Sequence, residues 1–279
     1  MKAPLHIKNL KTIEEMKEVQ QLEKKTWGHD DYTPTHQTIT VVKNGGIMLG
    51  GYVADELVAF QYSFPGFING HVYLCSHMLA VDDRFRGRGF GKQLKLAQKD
   101  LALKNGFKMI TWTYDPLEAV NGNLNIGSLR AVCNKYIENC YGEMEGKLNK
   151  GLDSDRFKAE WYLDSKHVQN NPSYKDFKKH QICTIVENEE GLPLIDSIKL
   201  NQLSEIAEDE AIIVPVPMYF QEMKKSNMEL AKDWRLKTRQ LFQTLFAEDY
   251  VVVDTQKNAS ELVFHYILVK NDQVNVDFY

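Results

Sequence analysis

The chain has 279 residues and a formal net charge of −4, with 43% hydrophobic and 26% charged residues. This is the composition of an ordinary globular protein, and its mild acidity argues against a general binder of nucleic acid or anionic membranes. No stretch resembles a signal peptide or a membrane span, and the four cysteines lack metal or redox spacing, so we expect a cytoplasmic protein without a metal.

The first 81 residues predict one helix and a series of strands. Thr12 and Glu15 form a capping-box pattern, and apolar residues follow at helical spacing, so a helix is expected over Thr12–Lys25. Turn signals at Pro65-Gly66 and Asn69-Gly70 separate the last two apolar runs. The predicted strands are His6–Leu10, Ile47–Ala54, Leu57–Phe64 and His71–Val81.

A loop rich in glycine and basic residues follows the last of these strands. It reads Arg86-Gly87-Arg88-Gly89-Phe90-Gly91-Lys92 and leads into a helix predicted over Lys92–Lys104. Glycines let the backbone turn tightly and approach a ligand, and a helix N-terminus directs N–H groups and the positive end of its dipole into the loop. Together with the three basic side chains, this arrangement predicts an anion site, and a phosphate is the expected anion.

The glycine spacing separates this loop from two common phosphate-binding motifs. A P-loop needs Ser or Thr after its lysine, but Gln93 follows Lys92, and evenly spaced glycines do not match the dinucleotide fingerprint G-x-G-x-x-G. Arg86, Gly89 and Gly91 instead match R-x-x-G-x-G. A Gly/Arg-rich surface turn is the plain alternative. An RNA-binding RGG segment is disfavoured because ordered, apolar-periodic sequence flanks the loop.

This motif, with its lead-in Met78–Phe85, resembles the acyl-coenzyme A signature of the GNAT superfamily of N-acetyltransferases. The resemblance covers roughly Leu5–Leu163. It implies an α/β (α+β) fold with a mixed, mostly antiparallel sheet flanked by helices, in a domain of residues 1–164, and an additional C-terminal α/β part over 165–279. It further implies that the loop amides hold the coenzyme A pyrophosphate, while Leu79 and Val81 supply backbone groups to the pantetheine arm.

The resemblance also implies that the strands His71–Val81 and Met109–Tyr114 splay apart to admit the pantetheine and the acceptor amine. GNAT enzymes often place a general base on the strand that leads into the loop, and His77 is the titratable residue there. A strand histidine satisfied by hydrogen bonds is the alternative. Cys75 as an acyl-carrying nucleophile is a weaker option, because buried cysteines usually only pack.

Many GNAT proteins carry an asparagine on the next helix and, about seven residues later, a tyrosine that protonates the thiolate. Asn121 and Asn125 are therefore candidates for coenzyme contacts, but Ser128 stands seven residues after Asn121. This departure leaves Tyr141 as the candidate for the acid, with structural packing as its alternative role.

Two charged residues are candidates for contacts with the acceptor. Asp115 follows the splayed strand and either faces the amine or caps the next helix, and Arg156 either pairs with a carboxylate or lies in a surface turn. The runs His77–Val81, Thr111–Leu117 and Ser154–Arg156 look similar to a branch of GNAT proteins in which some members are thought to N-acylate amino acids, including with succinyl groups.

The sequence changes character after about Ser165. Asn170-Asn171-Pro172-Ser173 reads as a linker, and apolar spacing predicts a helix over Glu229–Phe246. No chemical motif and no second glycine-rich loop is recognised there. The predicted strands of this part are Gln181–Glu187, Ala211–Val216, Tyr250–Asp254 and Glu261–Val269.

These patterns predict an acyl-CoA-dependent N-acyltransferase that moves an acetyl or succinyl group to the amine of a small molecule by direct transfer. We expect no nucleic-acid or membrane partner, and a homodimer is compatible with the sequence. Two alternatives stay open: a non-catalytic regulatory protein that binds acyl-CoA, and a protein acetyltransferase.

Overall fold

A computed structural model of the chain describes residues 4–28, 32–142, 151–170, 172, 174, 176–257, 262–274 and 276. The chain divides into two compact units, Met1–Trp112 and Thr113–Phe278. The domain boundary at 164/165 stays a prediction. Residues after Thr113 contribute to the core of the second unit, where the Phe157 ring lies 4.6 Å from Phe242 and 5.5 Å from Tyr266.

The first unit contains a mixed sheet with the strand order β1-β2-β3-β4-β5. Neighbouring strands are antiparallel except β4 and β5, which are parallel, so the predicted mixed and mostly antiparallel sheet is confirmed. Its elements are β1 (His6–Asn9), α1 (Ile13–Trp27), α2 (Thr35–Lys43), β2 (Ile47–Val53), β3 (Glu56–Ile68), β4 (His71–Val81), α3 (Phe90–Lys104) and β5 (Met109–Tyr114).

The predicted capping box begins α1. The Glu15 backbone N–H donates to the Thr12 hydroxyl at 3.3 Å, and the Glu15 carboxylate accepts from the Thr12 backbone N–H at 2.9 Å. The helix buries Met16 and Val19 against the sheet. The helix α2 was not predicted, because its many β-branched residues have low helix propensity and favour strands.

The strand β3 runs through Pro65-Gly66, where the sequence predicts a turn. The pairing of β3 with β2 ends at Ser63, and Pro65 lies beyond it. Proline has no backbone N–H to donate, but at this position no hydrogen bond with β2 is lost. The turn occurs at Asn69-Gly70, whose φ angles of 49° and 84° suit a two-residue hairpin.

The strands β4 and β5 diverge, as predicted. In the part of the chain that the structure describes, they pair only at Leu74↔Ile110 and Cys75↔Thr111. From Ser76 to Val81, the edge of β4 that faces away from β3 therefore has no β5 partner. The pairing of the two strands ends at this point, and the space between them beyond it is called here the opening between β4 and β5.

The second unit contains a four-stranded sheet with the order β12-β13-β11-β8, a β9–β10 hairpin and a β6–β7 pair. The predicted helix and strands are confirmed to within a few residues. The strands β6, β7, β8 and β10 and the short helices α4, α5 and α6 were not predicted. Three residues of the predicted linker and strands lie outside the described residues: Asn171, Ser173 and Glu261. The unit's elements are α4 (Ala119–Gly122), β6 (Tyr136–Ile137), β7 (Arg156–Tyr162), α5 (Lys166–Asn170), β8 (Lys179–Gln181), β9 (Cys183–Glu187), β10 (Pro193–Ile198), β11 (Ala211–Pro217), α6 (Phe220–Ser226), α7 (Met228–Ala247), β12 (Tyr250–Lys257) and β13 (Val263–Lys270).

Among the described helices of both units, none combines the length and the apolar character that a membrane crossing requires.

Candidate functional site

The glycine-rich loop connects β4 to α3 through backbone conformations that favour glycine. Gly87 and Gly89 have φ angles of +72° and +77°, and open space surrounds the position of a Cβ at each of them. Gly89 is the N-cap of α3, so the helix begins at Phe90 rather than at Lys92 as predicted. The loop therefore presents backbone to solvent with no side chain in the way.

The N-terminus of α3 and the basic side chains make this loop attractive to an anion. The first intrahelical bond runs from the Gln93 N–H to the Gly89 carbonyl at 3.1 Å, so the amides before it have no carbonyl in their own helix. Arg86, Arg88 and Lys92 are all exposed. Arg86 forms an exposed ion pair with Asp83 at 2.8 Å, which contributes little and leaves the guanidinium accessible.

A buried carboxylate fixes the start of the loop. Asp82 is 4% exposed and accepts hydrogen bonds from the Arg84 side chain at 3.1 and 2.8 Å and from Lys25 Nζ at 2.6 Å. These bonds, above all those from Arg84, hold the pKa of the Asp82 carboxyl well below its usual range. The Asp82 carboxylate therefore stays ionised, and paired with Arg84 and Lys25, at all ordinary pH values.

Phe90 and Gly91 hold α3 against its surroundings. Phe90 is buried, and its ring stacks on Phe85 with 6.3 Å between the centroids. A Cβ on Gly91 would lie 3.7 Å from the side chain of Leu79 on β4. These contacts place the helix N-terminus beside the half-buried Leu79. Val81, also half-buried, ends the same strand.

His77 is the extra residue of a β-bulge in β4. The pairing with β3 joins Tyr62 to Met78 and Ser63 to Ser76, which leaves His77 between them without an opposite residue. Its ring lies 6.1 Å from that of Tyr62 and 5.6 Å from that of Phe64. Partial burial lowers the pKa of His77 below its ordinary value, so the imidazole is neutral at pH 7 and able to accept a proton.

A buried polar cluster that the sequence did not predict lies beside this bulge. Lys95 Nζ donates to the Ser76 hydroxyl at 2.7 Å, and Gln61 Nε2 donates to the same oxygen at 3.3 Å. Lys95 lies on the buried face of α3 with Gln98, among apolar residues. A lysine at an apolar position of a helix is a signal that could have identified this cluster.

In the second unit, the structure brings Tyr141, Asp115 and Arg156 together. The Tyr141 hydroxyl shares a hydrogen bond with the Thr113 hydroxyl at 2.6 Å, and the Arg156 guanidinium lies 5.5 Å from the centroid of the Tyr141 ring. Burial raises the pKa of Tyr141, so the phenol stays protonated at neutral pH. An Arg156 nitrogen lies 3.9 Å from the Asp115 carboxylate.

Asp115 has a stronger partner that the sequence did not predict. Arg235, 3% exposed on α7, donates to Asp115 Oδ1 at 2.9 Å and to Oδ2 at 2.5 Å. The same carboxylate accepts from the Leu117 N–H at 2.9 Å, so it caps a turn and not α4, whose N-cap is Glu118. The carboxylate is thus largely committed to Arg235. A contact of Asp115 with an acceptor stays a prediction.

The two asparagines predicted to contact the coenzyme differ in exposure. Asn121 is exposed on α4, whereas Asn125 is buried within a π-type turn over Asn123–Ser128. The Asn125 carbonyl accepts from the Ala131 N–H at 3.0 Å, which fixes the backbone of this turn. Their coenzyme contacts stay predictions.

The second unit also has a cavity of about 250 Å³ with a mainly apolar lining. It has no basic lining residue, so it is chemically unlike the loop at α3. Within the described ranges, no group of three or more His, Cys, Asp or Glu side chains is arranged to hold a metal ion. The cavity is lined by Gly191, Leu192, Pro193, Pro217, Tyr219, Glu222, Met223, Ser226 and Leu262.

No family model and no curated protein matches this chain, but solved structures do. The ribosomal-protein-S18-alanine N-acetyltransferase of Escherichia coli is 15% identical, with a TM-score of 0.47 over 57% of this chain and 94% of that one. A GNAT-family acetyltransferase of Streptococcus pneumoniae is 11% identical, with a TM-score of 0.46 over 56% and 98%. An aminoglycoside acetyltransferase from an uncultured soil metagenomic sample, in complex with sisomicin, is 16% identical, with a TM-score of 0.35 over 40% and 79%. These proteins are of the class that the sequence resembles, but likenesses of this strength assign no function.

Proposed function

We propose that this protein is an acyl-CoA-dependent N-acyltransferase that moves an acetyl or succinyl group to the amine of a small molecule, such as an amino acid. One observation carries the proposal: the opening between β4 and β5 leads along an unpaired strand edge to a basic, glycine-rich helix N-terminus. A long ligand with a phosphate group at one end and a reactive group at the other suits this arrangement.

The chemistry of coenzyme A suits the residues along this path. The pyrophosphate would lie against the amides and basic side chains from Arg86 to Lys92, where positive φ angles and open space accommodate it. The pantetheine amides would bond to the free backbone groups of β4 near Leu79 and Val81. Contacts from Asn121 and Asn125 complete the proposed coenzyme site.

Direct transfer needs a neutral amine, which attacks the thioester carbonyl as the C–S bond breaks. We assign His77 as the base that takes the proton from the amine, since its lowered pKa leaves it neutral at pH 7. Tyr141 is the proposed acid for the thiolate. Arg156 and Asp115 are the proposed contacts for the charged groups of the acceptor.

Calorimetric titration with coenzyme A, acetyl-CoA and succinyl-CoA tests the coenzyme site. We expect saturable binding near micromolar strength, about −8 kcal/mol. Gly89→Glu should weaken it at least about 100-fold, because the variant combines a negative charge with a strained left-handed backbone. Gly106→Glu is the matched control, since Gly106 ends the same helix with φ +87° and open space around it. Equal affinities of the two variants would contradict the site assignment.

Turnover separates this proposal from its rivals. Release of free thiol in the presence of a panel of amino acids and small amines is the expected result. Ser128, where the family pattern has tyrosine, favours the second candidate, a regulatory protein that binds acyl-CoA without turnover. Coenzyme binding without consumption of any amine would support that candidate. Acylation of peptides alone would identify a protein acetyltransferase.

We place the protein in the cytoplasm, as a monomer or homodimer. Cys75, Cys133, Cys140 and Cys183 are all free thiols, the state that a reducing compartment maintains.

A further inference from the structure

Lys95 occupies the apex of the opening between β4 and β5. The last paired residues of the two strands are Cys75 and Thr111, so Ser76 and Trp112 are the first residues beyond the pairing. Lys95 Nζ contacts both of them, at 2.7 Å from the Ser76 hydroxyl and 3.6 Å from the centroid of the Trp112 ring. One amino group thus joins the two strands where they separate.

We propose that Lys95, in place of the candidate acid Tyr141, is the proton donor to the thiolate that leaves when an acyl-CoA thioester is cleaved in this opening. This inference rests on the proposed function. From Val81 back to Ser76, β4 covers about 17 Å. A pantetheine arm that starts at the loop and follows this edge brings its sulfur towards the apex, where Lys95 lies.

The surroundings of Lys95 favour a proton that is easily given up. Lys95 is 3% exposed, and burial lowers its pKa to about 7, whereas a nearby Cys75 charge would raise it. Its two contacts in the described part of the chain, Ser76 on β4 and Trp112 on β5, are uncharged, and so is Gln98 on its own helix. A free thiol has a pKa near about 8.5. Proton transfer from this ammonium to a thiolate is therefore downhill.

The proton balance of the step is simple. The amine nitrogen forms a bond to the thioester carbon, and the C–S bond breaks with its electron pair on sulfur. A proton passes from Lys95 Nζ to sulfur, which gives the free thiol and a neutral lysine. The proton that the acylated amine gives to His77 returns to Lys95 through solvent, so no oxidant or further reactant is needed.

A burial cost supports a role beyond packing. An ammonium in the core is expensive, and an apolar side chain of the same length would avoid that cost. The cluster also leaves Gln61 Oε1 and Gln98 Nε2 buried without a hydrogen-bond partner among the described residues. A cluster with such costs, located where two strands separate, is typical of a functional site rather than of an optimised core.

The test compares Lys95→Met, Lys95→Gln and, as a control on the same helix, the exposed Lys104→Met. The first readout is the pH dependence of kcat. In the parent and in Lys104→Met, kcat should fall as the pH rises through about 7, because deprotonated Lys95 has no proton to give, and neither Lys95 variant should show this fall. The glutamine of Lys95→Gln can still donate a hydrogen bond to Ser76 but has no ionisable proton. If the role of Lys95 is only structural, this variant should therefore retain the activity of the parent.

The magnitude of kcat is the second readout. The Lys95 variants should lower kcat about 100-fold with little change in KM for the acyl donor. An unchanged kcat and an unchanged pH profile in both Lys95 variants would overturn this inference and leave the proposed function intact. Absence of coenzyme A binding in the parent would overturn the proposed function and this inference with it. Rescue by Lys95→Gln alone would assign Lys95 a packing role.

Discussion

The glycine-rich loop of the first unit and the interior of the second unit use their charged residues in opposite ways. In the first unit, the arginines and lysine of the loop at α3 are exposed, and Arg86 has only a surface ion pair with Asp83. In the second unit, Arg235 is buried against Asp115, and Arg239 contacts Asp155, Asp153 and Glu138. Charges that face solvent beside free backbone amides are available to a ligand. Charges that already neutralise one another hold a fold together.

The largest expected effect comes from breaking the buried pair of the second unit. Asp115→Asn leaves the buried Arg235 without its counter-charge, which should lower the free energy of unfolding by about 3–5 kcal/mol. Chemical denaturation measures it. The double variant Asp115→Leu/Arg235→Met should regain most of that loss, because it removes both charges.

The exposed pair between Lys232 and Glu229 on the same helix α7 provides the control. Glu229→Gln should change the unfolding free energy by less than about 0.5 kcal/mol. A loss of similar size in Asp115→Asn would contradict the view that the second unit's charges stabilise its fold.

The next effect is a pH dependence of the second unit. Burial lowers the pKa of His167 to about 4, and its Nε2 has no hydrogen-bond partner among the described residues. The unfolded chain binds a proton near about pH 6.5. The neutral histidine therefore contributes stability that is fully present above that pH and lost as the pH falls from 6.5 through 4, in total about 3 kcal/mol.

His167→Gln tests this dependence, because glutamine can keep a hydrogen bond to the Tyr174 hydroxyl, 3.2 Å from the His167 Nδ1 of the parent, but does not titrate. Denaturation midpoints at pH 7 and pH 4.5 should differ less in the variant than in the parent. An equal loss in both proteins would exclude His167 as the cause.

The smallest of these effects concerns catalysis in the first unit. If His77 is the base, kcat/KM should fall on acidification, at a pH below the ordinary 6.5, because protonation removes the base. His77→Gln should lower kcat/KM about 100-fold, which corresponds to about 2.7 kcal/mol of transition-state stabilisation. It should also abolish the acidic limb, which is the fall of kcat/KM at low pH. A variant that retains both the rate and the limb would point to another base, such as a water chain.

Local signals made the first unit predictable. The capping box of Thr12 and Glu15, the strand His71–Val81 and the glycine motif each depend on residues close in sequence, and all three occur as predicted. The helix α2 was missed because its β-branched residues favour strands on propensity alone. Tertiary packing there overrides a weak local preference.

Partners distant in sequence were not predictable. Arg235 lies 120 residues from Asp115, and nothing in the spacing of either residue names the other. Lys95 reads as one of many helix lysines until the fold places Ser76 and Trp112 beside it. The packing of Phe157 against Phe242 within the second unit is likewise a long-range contact that no local pattern predicts.

The free edge of β4 has a consequence for amide hydrogen exchange. Along a strand with one partner, N–H groups that bond to the partner alternate with N–H groups that point away from it. From Met78 to Val81, beyond the bulge, the outward amides should therefore exchange quickly with solvent while their neighbours, bonded to β3, exchange slowly. A molecule that binds along this edge should slow the fast set alone, so the alternation along β4 would disappear when the site is filled.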